Sequence, residues 1–127
     1  MKLALVSLTT FLALACSSLP DNKTENGAIT PSQLLASAEY DSKRVEVRGW
    51  LRIGPEMRGL WDSKKDIENG NYQHACITIY NPRGISIKGP IREVLVVGTY
   101  NAKRPDRLII LGACSDAFLE IIEVRDQ

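Results

Sequence analysis

The chain predicts a mostly β domain, a small closed or nearly closed barrel of five to six strands with one short N-terminal helix. Three observations carry this expectation. Short segments alternate apolar and polar residues with a period of two, as a strand with one buried face does. Gly, Pro and Asn-Gly steps punctuate them at short intervals. No long helical pattern falls between the strand-like runs, so the βαβ units of a parallel sheet are not expected.

The N-terminus reads as an address. Leu3 to Leu14 is apolar apart from Ser7, Thr9 and Thr10, and Lys2 precedes it. A run of about a dozen residues is shorter than the ~20 of a membrane-crossing helix and suits the apolar core of a secretory signal peptide. Small residues at Ala13 and Ala15 fit a cleavage site that leaves Cys16 as the new N-terminus. The stretch "ALAC" resembles the lipobox of bacterial lipoproteins, with Ala13 and Leu14 standing where that motif has leucine and a small residue. The resemblance implies lipidation of Cys16 and a lipid bilayer as partner. Ordinary cleavage after Ala15, leaving a secreted protein, is the alternative. "SSLPDNKTENGA" then offers little to bury and behaves as a flexible coil. The expected organisation is a signal peptide over 1–15, a lipidated cysteine and tether over 16–29, and the β domain over 30–127. The expected location is the cell envelope, lipid-anchored and facing the periplasm, or the exterior if Cys16 carries no lipid.

In "TPSQLLASAEY", Thr30 is placed to cap a helix, Pro31 suits its first position, and Gln33 completes a capping box. Leu34, Leu35 and Ala38 are expected on its buried side. In "YDSKRVEVRGWLRI", Val45, Val47, Gly49, Leu51 and Ile53 alternate with Arg44, Glu46, Arg48, Trp50 and Arg52. This is a long strand, and Gly49 in its middle suggests a bulge or sharp bend. "GPEMRG" turns and "GLWDS" is a short second strand. "KKDIENGNY" is polar, with a turn at Asn69-Gly70. "HACITIY" is a β-rich run, "NPRG" turns, and "ISIKGP" is a short edge piece. "REVLVVGTY" is a central strand carrying Gly98. "AKRPD" turns into "RLIILGAC", and "FLEIIEV" closes the domain.

"YDSKRVEVRGWL" after a short helix resembles the first strand of OB-fold domains, and "REVLVVGTY" resembles their fourth. With "GLWDSKKDIENG", residues 31 to 124 are similar to an uncharacterised family of bacterial envelope lipoproteins with an OB-fold-like domain. The resemblance implies an OB-like barrel that binds on one face. It carries over no catalytic residue and no cofactor. OB domains bind single-stranded nucleic acid, oligosaccharide or protein, and fold alone does not choose among them.

Cys76 and Cys114 remain once Cys16 is set aside. In an exported chain a disulfide between them is expected, with two buried free cysteines as the alternative. No CxxC pair supports a redox enzyme. Removing residues 1–15 takes away only Lys2 among the charged residues, which leaves fifteen bases and fifteen acids. A neutral chain argues against nucleic acid as partner, because polyanion binding wants a basic surface.

Trp50, flanked by Arg48 and Arg52 on the outward face of the first strand, is the leading binding candidate. An aromatic among guanidinium groups stacks on a ring or anchors a protein. Alternatively Gly49 shifts the register and Trp50 packs under the helix. Trp61, with Tyr72 and Tyr80, extends this surface or packs in the core. Arg83, Lys88 and Arg92 form a basic rim around a loop or are simply solvated. Asp62, Asp66, Glu68 and His74 have side chains that can ligate a cation, but no metal-site spacing is present. No nucleophile–base pattern appears. The expected function is a non-enzymatic binding module at the envelope that docks a protein or an envelope polymer. The alternatives are an OB-type binder of single-stranded nucleic acid or oligosaccharide, and an envelope hydrolase using the acidic loop.

Overall fold

A computed structural model describes residues 27–55, 57–70, 75–110 and 112–127. The expected signal peptide, Cys16, most of the expected tether, Tyr72 and His74 lie outside the described residues. Five strands form one sheet: β1 (Arg44–Ile53), β2 (Arg58–Trp61), β3 (Cys76–Tyr80), β4 (Arg92–Asn101) and β5 (Phe118–Asp126). Two five-residue helices accompany them, α1 (Pro31–Leu35) and α2 (Lys64–Glu68). Among the described residues no helix is long and apolar enough to cross a membrane.

The sheet closes in a ring, in the order β1-β2-β3-β5-β4 and back to β1. All neighbours are antiparallel except β3 and β5, which run parallel through Thr78↔Phe118 to Tyr80↔Glu120. The predicted alternation in β1 is met: Val45, Val47 and Leu51 are buried while Arg44 and Glu46 are exposed. Val94, Val96, Leu60, Ile77, Leu119 and Ile121 meet them inside the ring.

The helix signal is also met, over a shorter span. The Thr30 hydroxyl accepts from the Gln33 N–H, and the Gln33 side chain accepts from the Thr30 N–H at 2.9 Å. Leu34 is fully buried and plugs the ring, but the helix stops at Leu35. Ala38 falls in a 3-10 turn (Ala38–Tyr40) and is exposed, contrary to expectation. Residues 28 and 29, at the end of the expected tether, pack with the domain. Ala28 and Ile29 are buried, and Ile29 pairs with β1, donating to Glu46 O and accepting from Arg48 N, both at 2.9 Å.

Two predicted strand pieces are not strands. In "ISIKGP", Asn81 brackets Ile85, its Oδ1 accepting from Ile85 N at 3.0 Å and its Nδ2 donating to Ile85 O at 2.8 Å. In "RLIILGAC", the described residues form part of a strap, over 102–110 and 112–117, that crosses the outside of the ring. Neither segment joins the sheet: Asn81 holds the first, and the disulfide to Cys76 and the Thr78 hydroxyl hold the end of the second against the outer face.

The glycines act by proximity more than by curvature. The ladders of β1 keep register through Gly49, so no bulge sits there. A Cβ on Gly49 would lie 2.7 Å from Trp61 O and 2.8 Å from Leu60 Cγ. The register shift falls instead between Val97 and Gly98, where Ile122 of β5 is skipped. A Cβ on Gly98 would lie 2.5 Å from the Glu120 carbonyl oxygen. Backbone cannot yield there without parting β4 from β5, so Gly98→Ala is expected to destabilise by about 2–3 kcal/mol. Urea unfolding of the two proteins measures this, and a loss below about 0.5 kcal/mol would contradict it.

Candidate functional site

The predicted binding residues lie on the outer face of β1, β2 and β3. Cross-strand pairing aligns Trp50, Trp61 and Cys76 in one row, and Arg52, Gly59 and Thr78 in the next. Side chains in such a row touch their neighbours directly. Trp61 is 0% exposed, and with Ile67 and Cys76 it forms a second apolar cluster outside the ring. Trp50, Met57 and Cys114 pack against that cluster and stay partly exposed.

The outward placement of Trp50 is met, and the register-shifted alternative is not. No register shift turns it inward, and it remains on the outward face. It packs not under α1 but against the cluster that α2 closes. Trp61, expected as possible surface, presents none and seats Trp50 from within. Tyr80 lies elsewhere on the sheet, edge-on to Phe118 with ring centroids 5.7 Å apart.

The disulfide forms, though from strand to strap rather than between two strands. Cys76 begins β3, and Cys114 reaches it from the strap, with S–S 2.08 Å and Cα–Cα 6.2 Å. The bridge sits directly on β2, since a Cβ on Gly59 would lie 2.5 Å from Cys76 Sγ and 3.0 Å from Cys114 Sγ. Thr78, fully buried, ties the strap down beside it. Its hydroxyl donates to Ser115 O at 2.9 Å and accepts from Cys114 N and Ser115 N at 3.0 and 3.1 Å. Arg58 N adds a bond to Gly112 O at 2.9 Å. The strap and α2 thus cover the outer face of β2 and β3.

The flanking arginines differ. Arg48 faces Glu93 at 4.0 Å and donates to Gln127 Oε1 at 2.9 Å, so its charge is partly spent within the fold. Arg52 makes no ion pair among the described residues and is partly exposed. Of the expected basic rim, Arg92 is bound to Asp126 at 2.6 Å and to Pro90 O, whereas Arg83 and Lys88 are exposed in the loop after β3.

The acidic residues serve helix ends. Asp62 Oδ1 accepts from Ser32 N at 2.9 Å, in the first turn of α1. Asp66 and Ser63 cap α2 reciprocally, the Ser63 hydroxyl donating to Asp66 Oδ2 at 2.8 Å and accepting from Asp66 N at 3.1 Å. Glu68 pairs with Lys64 at 3.9 Å. Among the described residues no three His, Cys, Asp or Glu side chains come together to hold a metal. Helix α2 itself was missed in the sequence, although Ser63-x-x-Asp66 before Ile67 is a capping signature. The expected turn at Asn69-Gly70 is met and ends that helix, with Gly70 at φ 68°.

One titration is displaced within the ring. Burial first, and the Asp41 carboxylate second, push the Tyr100 phenol above its usual 10.0. The group lies inside the core, away from the Trp50 face.

Comparison with protein-family models, with curated protein sequences and with solved structures finds no match. The resemblance to envelope lipoproteins therefore rests on its sequence motifs.

Proposed function

We propose that this chain is a non-enzymatic binding module, an OB-like barrel held at the bacterial cell envelope through Cys16, that docks a protein partner with Trp50 and Arg52. The strand order β1-β2-β3-β5-β4, with a long β1 shared by two neighbours, supports the OB-like reading. The Cys76–Cys114 bridge supports an oxidising compartment and thus export.

The observation that carries the reading is the seat of Trp50. It is partly exposed, backed by a wholly buried tryptophan and a disulfide, and beside an arginine without a partner among the described residues. A rigid aromatic needs little ordering on binding, which is what makes such residues interface anchors. Nucleic acid fits less well. Stacking on a single strand needs a platform of open aromatics, and the β2–β3 face is closed by the strap.

Crosslinking in intact cells, read by mass spectrometry, tests this with wild type and Trp50→Ala at matched expression. A defined envelope protein captured by wild type and lost from the variant is the expected result. Capture of the same protein by both would move the docking surface off Trp50. Capture of none would overturn the module reading.

A further inference from the structure

We propose that the end of the ring beside the β1–β2 hairpin binds an acidic peptide segment, a carboxylate carried next to an apolar side chain. A cleft of about 310 Å³ opens there between the hairpin and the loop after β3. Ile53 and Ile85, partly buried against the core, and Ile87, buried, supply its apolar floor. Arg58 and Lys88, both exposed, stand at its rim with Ser86.

Three features select the occupant. The described lining residues include two cations and no acid. Neither cation has an ion pair among the described residues, whereas Arg48, Arg92, Arg104 and Arg125 each face a carboxylate. The loop is also set before binding, by the Asn81 clamp on Ile85 and by Gly84 at φ 65°. The volume is at the lower end of the ~300–1,000 Å³ of ligand pockets, which suits one or two side chains of a larger partner. An anionic polymer is disfavoured because the whole chain has a formal charge of only +1.

This deepens the binding-module reading and rests on it, but it concerns a different surface from Trp50. The test is a nuclear magnetic resonance titration of the full chain, labelled on its isoleucine methyls, with Leu-Glu-Leu and Leu-Gln-Leu, each N-acetylated and C-amidated so that the glutamate side chain is the only carboxylate. The glutamate peptide is expected to shift Ile53, Ile85 and Ile87 and to bind about fivefold more tightly than its glutamine counterpart, the size of one well-placed exposed ion pair. Arg58→Gln with Lys88→Gln should erase that difference while the buried Ile77 and Ile121 methyls hold their positions, reporting an intact fold. Equal binding of both peptides, shifts confined to other isoleucines, or no shift would overturn the proposal. Stronger shifts with a short inorganic polyphosphate would also overturn it, in favour of a polyanion. None of these outcomes depends on Trp50, so this proposal and the crosslinking result fail separately.

Discussion

Reduction of the Cys76–Cys114 bridge is expected to lower the stability of the domain by about 3–4 kcal/mol. The bridge joins residues 38 apart in sequence, and opening it frees that loop in the unfolded chain. Its effect is felt locally as well, because it holds the strap over β2. The Thr78 hydroxyl network survives reduction, so the strap should loosen rather than leave the sheet. Urea unfolding with and without reductant measures the loss, and the Cys76→Ala, Cys114→Ala double variant should reproduce it in oxidising buffer. A change below about 1 kcal/mol would mean that the strap is held by its hydrogen bonds alone.

Trp61→Ala is expected to cost about 3–5 kcal/mol, the range for emptying a large aromatic site. Trp61 has no exposed surface and backs Ile67, Cys76 and Trp50 together. Its loss should therefore unseat Trp50 and α2 as well as opening a cavity. Trp61→Phe should recover part of the stability, since it refills most of the volume. A double-mutant cycle with Trp50→Ala then separates support from simple packing. Strong non-additivity is expected for neighbouring residues in one cluster. Additive losses would mean that Trp50 stands without Trp61, and the argument for a rigid anchor would fall.

The cationic cleft was only half legible beforehand. The loop containing Arg83 and Lys88 was recognisable as basic, but Arg58 was not grouped with it. Arg58 opens β2 and the loop follows β3, and the antiparallel pairing of these two strands brings the start of one to the end of the other. Trp50 was singled out because two arginines flank it, yet its value as an anchor depends on Trp61 beneath it. The alternation of β1 told which residues face outward. It did not tell that the outward face of β2 and β3 would be roofed.

Short-range signals in the sequence set the faces of the long strands β1 and β4, by period-two patterning, and the start of α1, through Thr30, Pro31 and Gln33. These signals act within a few residues, so they survive in any tertiary setting. The tertiary structure alone decided which apolar runs become strands. "RLIILGAC" has strand character, but the Cys76–Cys114 bridge and the Thr78 hydroxyl draw its end onto the outer face of the ring, so it becomes a strap. Likewise Gly49 and Gly98 looked alike in sequence. One admits a close neighbour without any change of register, and the other sits at a register shift, because what approaches each glycine comes from a distant strand.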